Sequence, residues 1–231
     1  MLRGFVKIYK YVDDEWIQMG STIRGSADFD LFGTRISLNA SGFILAASVI
    51  GSDEFGSEMG AVEVFEFIGD DWVQIGGGIP GAPGVGDFAT GIDLNGAGNR
   101  LIATSHIAFM GVTTGHTLVY EYDGLVWNQI GDTFVGEEGM GSATVSINGY
   151  GDIIAIATPL ENNGGESVGT VRLYQEEAGD WVQMDQKNSN YGEYYSSNPL
   201  NEHGMNMRTP PENTIARGKM PYRLNKDDLD S

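Results

Sequence analysis

The sequence predicts an all-β protein built from one repeated unit, and three observations carry that prediction. A seventeen-residue segment recurs as Gly4–Gly20 (GFVKIYKYVDDEWIQMG), Gly60–Gly76 (GAVEVFEFIGDDWVQIG) and Gly115–Gly131 (GHTLVYEYDGLVWNQIG), and begins again at Gly169 (GTVRLYQEEAGDWVQM). The opening glycines Gly4, Gly60, Gly115 and Gly169 lie 56, 55 and 54 residues apart, and a fixed long period marks a repeat architecture. Apolar residues alternate with polar ones inside each copy, and no segment shows the 3.6-residue apolar spacing of a helix.

Each copy opens on a strand. Val62 and Val64 alternate with Glu63, then Phe65 and Phe67 with Glu66, and the place of Phe65 is aromatic throughout, as Tyr9, Tyr120 and Tyr174. Period-two, β-branched and aromatic sequence of this kind forms strands. A short polar link then leads to a second strand, Trp72–Ile75 in the second copy, so the pair is a hairpin. A glycine-rich loop follows (STIRGSADFDLFG, then GGIPGAPGVGDFATG), and Gly76–Gly81 reads as a connection between units. A third strand, Thr34–Asn39, is matched by Gly91–Asn95 and Ala143–Asn148, each ending in an Asn-Gly turn (NASG, NGAG, NGYG) whose residues tolerate positive φ. The fourth strand is Phe43–Val49, Arg100–Ser105 or Ile153–Thr158.

The unit is therefore a four-stranded antiparallel meander of about 55 residues. One such sheet cannot bury two apolar faces alone and must stack on its copies, as the blades of a β-propeller do. Three full blades are expected, 4–59, 60–114 and 115–168, then the first hairpin of a fourth over 169–185. Together they form one repeat domain over 1–185, and 186–231, rich in Asn, Ser and Pro, reads as a polar, disordered tail.

One column stands out. A Trp lies twelve residues after each opening glycine (Trp16, Trp72, Trp127, Trp181), with a Gln two places later (Gln18, Gln74, Gln129, Gln183). An aromatic beside an amide is a sugar-binding pattern, but recurrence at one structural position is what packing between neighbouring blades predicts. The expectation is a repeat core, with the Gln side chains bonded to nearby backbone.

The unit resembles the FG-GAP type of propeller repeat, in the Trp-x-Gln form found in bacterial and algal surface proteins, with integrin α-chain head propellers as distant relatives. The resemblance rests on Phe32–Gly33 with Asp30 ahead of it, degraded to Asp87-Phe88-Ala89 and Met140–Gly141, and on Ala157-Thr158-Pro159. It implies an extracellular or cell-surface setting, although the N-terminus has no signal-peptide apolar region. It also implies calcium in loops of the Asp-x-Asp-x-Asp-Gly kind. No such loop occurs here. The nearest sets of hard oxygen donors are Asp28 with Asp30, and Asp53, Glu54 and Glu58. No cofactor other than calcium is expected.

Charge narrows the partners. The net charge is −19, and the tail from Gln186 is balanced at six basic and six acidic residues, so residues 1–185 carry all the excess acid. Such a surface repels phosphate backbones and anionic headgroups, which argues against nucleic-acid binding. No apolar run is long enough to cross a membrane as a helix. There is no cysteine, hence no disulfide chemistry.

Catalytic motifs are weak. Gly165-Glu166-Ser167-Val168-Gly169 matches G-x-S-x-G, but a nucleophile elbow needs a following helix and a strand is expected instead. His106, His116 and His203 lack the spacing of a zinc site. Asn39-Ala40-Ser41 is an N-glycosylation tripeptide expected in an exposed turn. The reading that results is a non-enzymatic interaction or adhesion module of a larger surface or secreted protein, presenting acidic loops to a protein or glycan, with self-association available to close the arc. Its alternatives are a propeller-based hydrolase or lyase, a carbohydrate-binding module, and an inactive structural fragment.

Overall fold

The alternating segments form antiparallel strands, and the computed structural model describes residues 3–52, 59–81, 88–109, 112–136, 144–158, 162–163, 166–167 and 169–189. Among these there is no helix. Strands β1 (Phe5–Val12) and β2 (Glu15–Arg24) make a two-stranded sheet. Next come β3 (Ile36–Leu38), β4 (Ile44–Val49), β5 (Ala61–Ile68) and β6 (Asp71–Pro80), paired in that order. The third sheet runs β7 (Phe88–Leu94), β8 (Arg100–Phe109), β9 (Val112–Tyr122) and β10 (Trp127–Gln129), with β11 (Phe134–Val135) also on β9. The last contains β12 (Thr144–Ile147) and β13 (Ile153–Thr158). After a two-stranded ladder of β14 (Asn162–Asn163) and β15 (Glu166–Ser167), it is completed by β16 (Gly169–Glu177) and β17 (Asp180–Ser189).

The all-β class and the four-stranded antiparallel blades hold. Their phase differs from the expected one. Each sheet joins the third and fourth strands of one copy to the hairpin of the next, as in Leu45↔Phe65, Leu101↔Tyr120 and Ile154↔Tyr174. Blades drawn at 4–59, 60–114 and 115–168 therefore cut each of the three larger sheets in two. A period gives the length of a unit and is blind to where its sheet begins. The break falls at the glycine-rich crossing from one sheet to the next. The unfinished unit is consequently the first hairpin, β1–β2, whereas the last hairpin completes a full sheet.

The second strand of three of the four hairpins is also longer than expected. Gly76–Gly81 is not a connection: β6 continues to Pro80, pairing Val62 with Ile79 and Ala61 with Pro80 beyond a bulge. The bulge lies at Gly76 and Gly77, with φ of 73° and 72°, and Gly20 (φ 65°) marks the same place in β2. In the third copy the bulge opens into the gap between β10 and β11.

Side chains alternate between two neighbours. Leu45, Ala47, Val49 and Phe65 pack against Val6, Ile8 and Ile23 of the first hairpin. On the opposite face of the same sheet, Ala46, Val62 and Val64 meet Phe88, Leu101 and Leu118. Ile102 and Val119 then meet Val145, Ile147 and Ile154 of the last sheet. Apolar residues on both faces of a strand thus mark sheets covered on both sides.

Strand β17 reaches Ser189, so 186–189 belong to the sheet and not to the tail. Residues 190–231, and with them the expected disorder, lie outside the described residues. Truncation after Asp185 removes the pairs Arg172↔Gln186, Val171↔Lys187, Thr170↔Asn188 and Gly169↔Ser189. At about 0.5–1.5 kcal/mol per net hydrogen bond, it should cost roughly 2 kcal/mol relative to truncation after Ser189. Scanning calorimetry of the two truncated chains checks this, and equal melting temperatures would refute it.

Candidate functional site

Polar side chains converge where the sheets meet along their inner strands. β3, β7 and β12 are each followed by a buried Asn (Asn39, Asn95, Asn148) whose Oδ1 accepts from the backbone of its own turn, as from Ile44, Arg100 and Ile153 N–H at 3.0–3.1 Å. The turns then bond to one another: Ala40 N–H donates to Gly96 O at 3.1 Å, and Gly96 N–H to Gly149 O at 2.9 Å. Asn39 Nδ2 donates to Ala97 O at 3.3 Å, so the Asn of the glycosylation tripeptide is buried in the joint while Ala40 and Ser41 of its turn are exposed.

Two residues before each Asn stand Ser37, Asp93 and Ser146. Asp93 joins three sheets. Its Oδ1 accepts from Ser37 Oγ at 3.0 Å, and its Oδ2 from Ser146 Oγ at 2.9 Å and Ile147 N–H at 3.0 Å. Burial pushes the carboxyl up from its ordinary value, opposed in part by the donors from Ile147, Ser146, Ser37 and Leu94. The sequence carried a signal for this group, a polar residue at one offset from the turn Asn in all three copies. It was missed because glycine-bearing turns dominated the reading of that strand.

Arg35 and Arg100 extend the joints. Arg35 Nε donates to Thr90 O at 2.8 Å in the next sheet. Arg100 pairs with Glu121 at 2.9 Å, donates to Gly151 O at 3.0 Å, and approaches Glu176 at 3.6 Å.

Trp72, Trp127 and Trp181 lie at the hairpin joints. Trp72 Nε1 donates to Met19 O at 2.8 Å, and Trp181 Nε1 to Ile130 O at 3.3 Å, each in the preceding copy. Each ring rests on the glycine that closes that copy. A Cβ on Gly20 would stand 3.0 Å from Trp72 Cδ1, on Gly76 2.5 Å from Trp127, and on Gly131 2.6 Å from Trp181. Both the positive φ and the ring contact exclude a side chain there. Trp127 makes the same ring contact but its buried Nε1 has no partner. Asp71 reinforces the first joint, since its Oδ1 accepts from Ser21 N–H at 2.8 Å and Trp72 N–H at 2.9 Å, bonds that lower its pKa. Gln18 and Gln129 donate to Gly20 O and Gly131 O of their own strands at 3.0 and 3.1 Å, which holds the bulge. Trp16 departs from the column. It is 69% exposed, because no earlier hairpin is described to receive it.

Of the metal candidates, only Asp28 and Asp30 lie among the described residues. Asp28 pairs with Arg3 at 3.2 Å, and Asp30 accepts from Ser26 Oγ at 3.5 Å. Asp53, Glu54 and Glu58 lie outside the described residues, and among those described no three His, Cys, Asp or Glu side chains gather as ligands. Ser105 Oγ contacts the backbone of His116 and not its ring, whose Nδ1 is buried without a partner. Ser167 ends β15 and β16 follows it, a strand where the elbow needs a helix.

No family model and no curated protein matches the chain. Among solved structures it is similar to a chain from a structural and mechanistic analysis of two prolyl endopeptidases (TM-score 0.42, 12% identity, covering 80% of this chain and 26% of that one). It is also similar to the tricorn protease (TM-score 0.41, 8% identity, 74% and 18%). This chain therefore spans about a quarter and a fifth of their lengths. Both contain β-propeller domains. The adhesion-module expectation is corrected here: the similar structures are peptidases, which accompany the hydrolase alternative. Likeness at these TM-scores assigns no activity to this chain.

Proposed function

We propose that the chain is a structural propeller body, a stack of blades without chemistry of its own. The observation that supports it is the engagement of the inner-strand groups: Asp93, Ser37, Ser146 and the Ala40 and Gly96 amides bond to adjacent sheets, leaving Asp93 with no oxygen free of a donor. A carboxylate so saturated holds strands together rather than accepting a proton from a substrate. The finer FG-GAP assignment draws support from Phe32, which is buried, and Gly33, which takes φ 78° and donates to Ser48 O.

One observation favours a second reading as a hydrolase-type propeller. Asp93 is a carboxyl whose pKa is raised by burial, and such a group suits a general acid. A panel of nitrophenyl esters, nitrophenyl glycosides and aminoacyl nitroanilides, run with calcium and with EDTA, separates the two. The body reading expects no turnover and no calcium effect on rate or melting. Turnover abolished by Asp93→Asn in a folded variant would overturn it.

A further inference from the structure

We infer that the outer face of β1–β2 is half of an interblade joint, and that its occupant is the last hairpin of a second copy of this chain, stacked head to tail. This rests on the blade-body reading and adds a partner to it. The internal joints show what the face is made for. Phe65 and Tyr120 are 8% and 6% exposed beneath preceding units, whereas Tyr9, at their position, is 44% exposed. Ala61 is buried, whereas Phe5 at its position is exposed. Trp72, Trp127 and Trp181 are seated, whereas Trp16 stands out beside Tyr11 at 5.2 Å.

The complementary half is at the other end. Met19, Ile75 and Ile130, the residues just before the seating glycines, each pack into a core beside the Trp of the next copy. Their fourth counterpart, Met184, is 52% exposed. Charge also agrees. The cations of Lys7 and Arg24 lie 5.8 and 5.9 Å from the Phe5 ring on the first face. The last hairpin carries Glu177 and Asp180, both exposed.

One difference sets the strength of this contact. Where the internal seats have Gly20, Gly76 and Gly131, the last hairpin has Asp185, and its bulge there is shorter. A Cβ at an internal seat would meet the Trp ring, and the sequence places a residue with a Cβ at position 185 where those seats have none. The joint between copies is therefore weaker than those within a chain, and reversible.

Sedimentation velocity over a concentration series of the full chain tests this. The expected result is concentration-dependent association that Trp16→Glu and Met184→Glu each reduce at least tenfold, both positions being exposed enough to leave the fold intact. Because the contact is heterologous, the two variants mixed should form a one-to-one dimer, each supplying the face the other lacks. Asp185→Gly should tighten association. A chain that stays monomeric at all concentrations overturns the inference, and so does association indifferent to Met184→Glu. Either failure leaves the blade-body reading standing, because that reading is tested by the chromogenic substrate panel.

Discussion

Replacing Trp72 by alanine should lower the melting temperature by roughly 6–12 °C. The substitution removes a ring packed between hairpins, the Nε1–Met19 O bond at 2.8 Å, and the contact that covers Gly20. Burying a Trp fully contributes about 3–5 kcal/mol on truncation; this ring is half-buried, so ~3 kcal/mol is the appropriate figure, and each kcal/mol shifts a domain of this size by about 2–4 °C. Trp16→Ala supplies the internal control at the same repeat position. With its side chain in solvent, it should move the monomer's melting by less than about 2 °C. Equal shifts for the two variants in calorimetry would sink the view that seating, and not residue type, makes the column a core.

Asp93→Ala should be comparably damaging. It strands the hydroxyls of Ser37 and Ser146 and the N–H of Ile147 where β3, β7 and β12 meet. Buried donors without acceptors cost about 1–3 kcal/mol each, and water entering the space left behind offsets part of that, so ~3 kcal/mol is expected. Asp93→Asn isolates the charge. The folded carboxyl binds its proton more tightly than the ordinary value of 3.8, so its contribution to stability is full below that pH. It is lost as pH rises from there through the folded value, and is constant above. Wild type should therefore gain stability relative to Asp93→Asn on acidification from about pH 7 to about pH 3. Denaturant titrations across that range that show a flat or opposite difference would refute the assignment.

Much of this fold is written in the copies themselves. The strands, the Asn turns and the placing of Trp72 and Trp181 between hairpins follow from alternation and recurrence. The phase of the sheets does not, because Leu45↔Phe65 pairs residues from different copies and nothing local distinguishes that partner from one within the copy. Glycine misled in one place. At Gly76–Gly81 it signalled a loop, while the chain uses Gly76 and Gly77 to carry a bulge and a ring inside a continuing strand. Asp93 was hidden for another reason. Its partners come from strands 56 and 53 residues away, a distance at which sequence shows composition but not contact.

The half-unit offset also bears on how the chain acquires its shape as it is made. Strands β3 and β4 leave the ribosome with their pleated edge open, and the sheet closes only when β5 and β6 have emerged behind them. Every newly made copy thus finishes the one before it and leaves its own second half waiting. Folding on such a schedule is a zip that advances from the N-terminus with one unsatisfied strand edge at its front. Synthesis at about 5–20 residues per second keeps that edge open for roughly a second or more per copy. Pauses that hold 50–60 or 159–168 at the tunnel exit would prolong the exposure, and pauses that hold 82–87 or 137–143 there would fall after a sheet has closed.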